Sequence, residues 1–165
     1  MGPSKYNCMQ QQVTIRPLAE RPEAIPVLAR LFYAEWHRFD HRNIPSIEVQ
    51  LRQNLSRDAV PITFLAESRG EMVGTVSLDV SDFPPLDRCW PWVASLYVMP
   101  TARRQGIGTL LMLHLQQFAM KLKLEPLYLW TVGAMRFYEK CGWKILRRVT
   151  YRSHPVTVMQ FTGSL

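Results

Sequence analysis

The stretch from Val93 to Thr131 constrains the fold more than any other part of this chain. It opens with a nearly continuous apolar run, VASLYV, and passes through the sequence MPTARRQGIG. A second apolar run, PLYLWT, closes it. Between them lies a helical pattern with one apolar stripe: Ile107, Leu110, Leu111, Leu115, Phe118, Ala119 and Leu122. A strand, a helix and a strand in this order predict a parallel pair whose first strand is covered on both faces.

The segments before this unit predict an antiparallel partner for it. Gln11–Leu18 alternates like a first strand, and residues 21–40 have helical spacing. We expect a second helix at Ser46–Leu55, with Ser46 as its N-cap and Val49 facing inward. The β-rich runs Pro61–Glu67 and Met72–Val80 surround SRGE and predict a hairpin.

The segments after this unit predict a short helix, GAMRFYEKCG, ended by Gly142, and two closing strands, WKILRRVTYR and VTVMQFT. The expected fold class is therefore α/β, with a mixed, mostly antiparallel central sheet and helices on both faces. We expect residues 1–165 to form a single domain, with residues 1–11 as a flexible N-terminus.

Composition narrows the class of protein. Hydrophobic residues make up 47% of the 165 residues, and no apolar run reaches the 18 residues that a membrane span needs. The polar N-terminus has no apolar signal core, so we expect a cytoplasmic protein with no membrane partner. Three scattered cysteines, Cys8, Cys89 and Cys141, form no Cys-x-x-Cys pair, which argues against a disulfide framework and a metal site.

The formal net charge of +7 favours anionic partners: nucleic acid, a phosphorylated cofactor or an acidic protein surface. The charge does not choose among them. Because no basic tail, basic helix or RNA-binding aromatic signature accompanies it, a nucleic-acid partner ranks last.

The glycine loop RRQGIG lies where a strand gives way to a helix. A helix N-terminus presents unpaired N–H groups and a partial positive charge, and glycine lets a phosphate approach them closely. The ATP-binding loop needs Gly-Lys-Ser/Thr, whereas Thr109 and Leu110 follow Gly108 here. The dinucleotide fingerprint needs a small residue where Leu111 stands. The loop therefore predicts a pyrophosphate cradle of another kind.

Two motifs resemble one family. Arg103-x-x-Gly106-x-Gly108 after SLYVMP resembles the acyl-CoA signature of the GCN5-related N-acetyltransferases (GNAT). FYEKCGW, at residues 137–143, resembles the second signature of that family. The resemblance covers roughly Met72–Trp143 and implies the acyl-CoA N-acyltransferase fold, in which the strand before the loop bulges and splays from its neighbour at the CoA site.

The resemblance also implies where acetyl-CoA, the co-substrate, would bind. Pantetheine maps to the backbone of Leu96, Tyr97 and Val98. The far part of CoA maps to Phe137 and Lys140. Thr131 stands where many members carry a pantetheine-binding asparagine, and its hydroxyl can make only one such bond. The pyrophosphate maps to the loop residues Arg103, Arg104, Gln105, Gly106, Ile107, Gly108 and Thr109.

The chemistry implied by the resemblance is direct attack of an amine on the acetyl thioester in a ternary complex. The N–H of Val98 would polarise the carbonyl, and Tyr138 would protonate the leaving thiolate. No glutamate stands on the motif strand, where members often carry the base. The remaining candidates for the base are Glu35, His37, Asp40, His41, Glu67, Asp79 and Asp82.

The resemblance therefore implies an acetyl-CoA-dependent N-acetyltransferase that acts on a primary amine. A small-molecule amine is the favoured acceptor; a protein or peptide N-terminus, a lysine, or a non-catalytic acyl-CoA sensor are the alternatives. Both a monomer and a homodimer are compatible with the sequence. Aromatic residues either wall the acceptor pocket or belong to the core: Trp36, Phe39, Phe83, Trp90 and Trp92.

Overall fold

The computed structural model describes residues 13–37, 41–86 and 88–163. Their centre is a seven-stranded sheet in the order β1-β2-β3-β4-β5-β7-β6. All neighbouring strands are antiparallel except β4 and β5, which confirms the predicted mixed sheet with one parallel pair. The strands are β1 Val13–Pro17, β2 Ile62–Ser68, β3 Glu71–Asp79, β4 Trp92–Val98, β5 Leu127–Thr131, β6 Lys144–Tyr151 and β7 His154–Phe161.

In the described parts of the chain, four α-helices connect the strands: α1 Ile25–Phe32, α2 Ile44–Gln53, α3 Ile107–Lys121 and α4 Met135–Lys140. The helix expected over residues 21–40 begins as a 3₁₀ turn at Pro22–Ala24 and continues past α1 as a π-helical turn at Tyr33–His37. The predicted N-terminal segment, residues 1–11, lies outside the described residues.

The two faces of the sheet carry separate cores because alternate residues of each strand point to opposite sides. On β2, Phe64 and Ala66 pack with α3, whereas Leu65 packs with α1 and α2. On the face of α1 and α2, the loop at residues 81–91 covers the other half of the sheet. Its Phe83 packs against Trp92 and the strand β7. Helices therefore lie on both faces, as predicted.

The prediction for α2 was wrong in its start and its phase. Asn43 is the N-cap, its side chain accepting a bond from the Ser46 backbone N–H at 2.9 Å, so Ser46 lies in the first turn. Its inward stripe runs through Ile47 and Leu51, which are four residues apart and therefore share one face of the helix. Val49 is 58% exposed, on the opposite side from that stripe.

Within the described ranges, no helix is long and apolar enough to cross a membrane.

Candidate active site

A gap opens between β4 and β5. The two strands pair only at Trp92 and Tyr128, where the Tyr128 N–H also donates to the carbonyl of Pro91 at 3.0 Å. Beyond this point the parallel strands separate, and residues 95–98 of β4 are only partly buried although β4 lies in the middle of the sheet. Their backbone groups on the β5 side are therefore left for another partner.

A β-bulge in β4 sets which backbone groups face that gap. The register places Thr75 opposite Tyr97 and Ser77 opposite Ala94, so two residues of β4 oppose one residue of β3. Ser95 takes up the extra length with a φ of 54°.

The backbone pairing beyond the bulge aims one N–H into the gap. The Met99 N–H donates to the Val73 carbonyl at 2.9 Å, so this is a hydrogen-bonded pair. Paired and unpaired positions alternate in an antiparallel ladder, and the N–H of Val98 therefore faces away from β3, into the gap. By the same alternation, the peptide groups of Tyr97 face β3. Of the two positions, Val98 is placed to offer its backbone to a ligand and Tyr97 is not.

The glycine loop ends at the N-terminus of α3. Gly106 is its N-cap with a φ of 79°, a left-handed conformation that suits glycine, and no side chain caps the first turn. The first N–H groups of this 15-residue helix are therefore open to an anion. Ile107 is buried, whereas Arg104 and Thr109 are exposed at the rim.

The side chains of the loop point to different partners. Arg103 turns back toward β4, where its Nε donates to the Val98 carbonyl at 2.9 Å and its guanidinium lies 5.4 Å from the centre of the Tyr97 ring. Gln105 donates to the Thr101 carbonyl at 3.3 Å. Of the two loop arginines, Arg104 is thus the one left at the rim.

The helix α4 approaches the same place. A Cβ on Gly108 would lie 3.3 Å from Cζ of Phe137 and 3.7 Å from the Val98 side chain, so α3, α4 and β4 meet there. Lys140 is exposed on α4. The Thr131 hydroxyl accepts a hydrogen bond from the Ala134 N–H at 3.1 Å, so it holds the turn before α4 and keeps only its own proton to donate.

Tyr138 lies on α4, packed against Phe137 and Trp143 with ring centres 5.1 and 6.5 Å apart. Burial raises the pKa of Tyr138 to about 12, with smaller contributions from Cys141 and Asp82. The hydroxyl therefore keeps its proton at neutral pH.

A narrow polar cleft lies on the opposite face, between α1 and α2 on one side and the loop at residues 81–91 on the other. Its floor includes Ser95, the bulge residue of β4, so the cleft reaches the strand that borders the gap. Its apolar wall consists of Phe32, Ile47 and Leu51. The polar lining consists of His37, Arg42, Gln50, Asn54, Ser77, Asp79, Asp82 and Ser95.

Asp79 is the deeper of two carboxyl groups in the cleft. It is 6% exposed at the end of β3, and the amide of Asn54 donates to it at 2.7 Å. Burial raises the pKa of Asp79 to about 7, and the negative charge of Asp82 adds to this, while Asn54 and Arg42 act against it. Asp79 can therefore exchange a proton near neutral pH.

Asp82 is half-buried and accepts a hydrogen bond from the indole N–H of Trp130 at 2.7 Å, which ties the loop to β5. Burial raises the pKa of Asp82 to about 6, although the bond from Trp130 and the charge of Arg42 lower it. Arg42 bonds to Gln50 and lies 3.3 Å from Nε2 of His37. The cleft therefore contains two carboxyl groups and one guanidinium.

The other candidates for the base lie elsewhere or hold the fold. Glu67 joins Arg16 at 2.9 Å and Arg21 at 2.7 Å, which is a structural ion-pair cluster. Glu35 and His41 are exposed, and Asp40 lies outside the described residues. The structure therefore brings Asp79, Asp82 and His37 together in one cleft.

Sequence reasoning did not single out Arg42, Asn54, Ser77 or Trp130. A signal was present, since Thr75, Ser77 and Asp79 alternate with the apolar residues Val76 and Leu78 in β3. Of the aromatic candidates, Phe83 and Trp92 are fully buried and belong to the core. Trp36 and Trp90 are 37% and 45% exposed, and Phe39 lies outside the described residues.

The described residues contain no group of three or more His, Cys, Asp or Glu side chains that could hold a metal ion.

The site combines a splayed strand pair with an open helix N-terminus at a glycine loop, and a protonated tyrosine lies on the next helix. This fold and site are those of an acyl-CoA-dependent acyltransferase. Residues 26–143 match the family model of the acetyltransferase (GNAT) family. The chain belongs to this family and is an acetyl-CoA-dependent N-acetyltransferase. The backbone groups in the gap and at α3 fit that co-substrate, which supplies the activated acetyl group.

Solved structures share the fold at low identity. An aminoglycoside 6'-N-acetyltransferase complexed with coenzyme A is 17% identical, with a TM-score of 0.72 over 92% of this chain and 98% of that chain. Ard1 from Thermoplasma volcanium is 18% identical, with a TM-score of 0.71 over 92% and 97%. The spermidine/spermine N-acetyltransferase SpeG from Vibrio cholerae is 17% identical, with a TM-score of 0.70 over 94% and 95%.

Proposed function

We propose that this protein transfers the acetyl group of acetyl-CoA to a small-molecule primary amine, by direct attack in a ternary complex. The observation that carries the proposal is the gap between β4 and β5, which meets both the open N-terminus of α3 and the residue Phe137 of α4, the neighbour of Tyr138. Pantetheine would lie along residues 96–98, and the pyrophosphate would bind the N–H groups that follow Gly106.

Two groups of the chain act on the thioester in this proposal. The N–H of Val98 would donate to the carbonyl oxygen as negative charge develops on it. Tyr138 would donate its proton to the leaving sulfur, and its raised pKa keeps that proton available at neutral pH. Phe137 and Lys140 would border the far part of CoA, and Thr131 would offer one hydroxyl proton to pantetheine.

The cleft on the other face supports a small acceptor. It is narrow, and the polar residues Ser77, Asp79 and Ser95 of β3 and β4 lie at its floor. Two structural neighbours are enzymes for polycationic substrates, an aminoglycoside and spermidine or spermine. Arg42 in this cleft and the net charge of +7 both oppose a polycation, so we favour an acceptor with one amine.

The test is a thiol-release assay with acetyl-CoA and a panel of acceptors: amino acids, arylalkylamines, alkylamines, polyamines, aminoglycosides and short acidic peptides. Acetyl-CoA binding is followed by thermal shift in the same samples. We expect a stabilising shift and turnover of a monoamine. Turnover of the peptides alone would overturn the small-molecule assignment, and a shift without any turnover would favour a sensor. The lack of a shift would contradict the CoA site itself.

A further inference from the structure

The structure assigns a role to Asp82 that rests on the proposed function: we infer that Asp82 binds the ammonium group of the acceptor and takes its proton, with Asp79 behind it as a positioning residue. The acceptor class that fits is a primary alkylamine whose stem is uncharged near the nitrogen. Neither carboxyl group lies on the motif strand, where members of this family often carry their base.

The first support is position. Asp82 follows β3 in the loop that covers β5, and its bond from Trp130 fixes one carboxylate oxygen toward the strand that borders the gap. Asp82 shares the cleft with Ser95, the bulge residue of β4, and its charge is one of those that raise the pKa of Tyr138. Asp82 therefore approaches β4 from the cleft side of the sheet, whereas Tyr138 packs with the core on the other side.

The second support is the lining of the cleft. Phe32, Ile47 and Leu51 line its apolar side, while Asp79 at the end of β3 and Asp82 in the loop bring two carboxyl groups to it. Asp82 is half-buried, whereas Asp79 is nearly enclosed and held by Asn54. The accessible group is therefore the one that contacts the ammonium, and the enclosed group adds negative charge beneath it.

Proton transfer balances as follows. The ammonium gives one proton to the Asp82 carboxylate, which later releases it to solvent. The lone pair freed on nitrogen forms the C–N bond, and the C–S bond breaks with its electron pair on sulfur. Tyr138 gives its phenolic proton to that sulfur and regains one from the second proton lost by nitrogen. The net products are an amide, a thiol and one released proton.

The titratable and charged groups around Asp82 come from four elements. Asp79 ends β3, His37 ends the π-helical turn, Arg42 precedes α2, and Tyr138 lies on α4. Asp79 favours binding of a cation, and Arg42 opposes a second positive charge. At neutral pH the carboxylate of Asp82 is ionised and Tyr138 is not, so the pair offers one acceptor and one donor of a proton.

The test compares the wild type with Asp82→Asn, and uses Asp58→Asn as the matched control because Asp58 is exposed outside the cleft. Isothermal titration at pH 7.5 measures binding of n-hexylamine to the CoA-bound protein. We expect affinity to fall at least about tenfold for Asp82→Asn, because a charge-assisted hydrogen bond is lost, and to stay unchanged for Asp58→Asn. Equal affinity in all three proteins would overturn the inference, whether or not any acceptor is turned over.

The pH profile separates a base from a structural residue. In the wild type, kcat/KM for n-hexylamine should rise through the titration of the carboxyl pair and then level off. Without the base, only the small neutral fraction of the amine reacts, so Asp82→Asn should show kcat/KM rising about tenfold per pH unit up to the amine pKa. A uniform loss with the wild-type profile retained would contradict the base. The wild type could acetylate amines while Asp82→Asn keeps both the wild-type affinity for n-hexylamine and the wild-type pH profile. In that case the inference fails and the proposed function stands.

Discussion

Tyr138 is a residue whose environment has a direct kinetic consequence. Replacing it with phenylalanine keeps the ring contacts with Phe137 and Trp143, so the fold should keep its stability. The proton for the leaving sulfur is lost, and we expect kcat to fall about 100-fold, within the usual range for general acid catalysis. Steady-state thiol release measures kcat, and the KM for acetyl-CoA should change little because the hydroxyl acts on the leaving group.

Tyr33→Phe is the matched control, since Tyr33 packs against α1 and α2 away from Tyr138. It should retain the wild-type rate. The raised pKa of Tyr138 adds a second expectation: the wild type should lose no activity through ionisation of this hydroxyl until the pH nears 12. Full turnover of Tyr138→Phe at every pH would show that the sulfur receives its proton from another source.

Glu67 shows why a charged residue in a strand need not be catalytic. It lies in β2 and joins Arg16 of β1 to Arg21 of the following turn. Glu67→Gln should lower the free energy of unfolding by about 1–2 kcal/mol, because the charge that strengthens the hydrogen bond from Arg21 and the ion pair with Arg16 are lost while both arginines remain partly solvated. Urea denaturation measures this, and kcat/KM should stay at the wild-type value. A loss of kcat/KM with normal stability would instead make Glu67 part of the site.

At the scale of elements, the approach of β3 to β4 depends on Gly74. A Cβ at this position would lie 2.9 Å from the carbonyl oxygen of Tyr97 and 3.0 Å from Cδ1 of Leu111. Gly74→Ala should therefore push β4 outward beside its bulge, at a cost of about 1–3 kcal/mol in the free energy of unfolding. We also expect weaker CoA binding by isothermal titration, since the backbone of residues 96–98 moves.

Gly133→Ala is the control for this change, because a Cβ there meets nothing within 4 Å. It should leave both the denaturation midpoint and CoA affinity unchanged. If Gly74→Ala bound CoA as the wild type does while losing stability, the gap would tolerate movement of β4 and its exact width would not matter for binding.

The order and type of the elements followed from the sequence because each long element has a clear apolar period. The stripe of α3 and the apolar run of β4 are such cases, and both were predicted within a residue or two. The phase of α2 was missed because Asn43 and Ser46 are both good caps and local sequence does not rank them. The bulge at Ser95 could not be read from local residues either, since it depends on the pairing of β3 with β4.

At the scale of the whole molecule, one part of the proposed site could be predicted from the sequence and the other part could not. Its proposed CoA side is nearly contiguous in sequence and carries motifs, so Gly106 and Tyr138 could be proposed from the sequence alone. Its acceptor side is assembled from α1, α2, β3 and the loop at residues 81–91, which meet only in the folded chain. The sequence left seven candidates for the base, including Asp79 and Asp82. The structure distinguishes these two from Glu67, which forms ion pairs, and from Glu35 and His41, which are exposed.

The buried carboxyl group of Asp79 in this cleft should also make the stability of the whole molecule depend on pH. Burial raises the pKa of Asp79 from 3.8 to about 7, so between these values the folded protein holds a proton that the unfolded chain has lost. Stability contributed by this group therefore falls as pH rises from about 4 to 7, and it is constant above that range. The direction is opposite to that of a salt-bridged aspartate.

Asp79→Asn removes this titration while keeping an oxygen for the bond from Asn54. The free energy of unfolding of Asp79→Asn minus that of the wild type should therefore increase from pH 4 to pH 8, by roughly 2–4 kcal/mol as an upper range for a shift of this size. Urea denaturation at both pH values measures it, with Asp58→Asn expected to show no such trend. A difference that stays constant with pH would mean that Asp79 titrates normally. A rising difference would mean that the buried Asp79 carboxyl group lowers the stability of the fold at neutral pH.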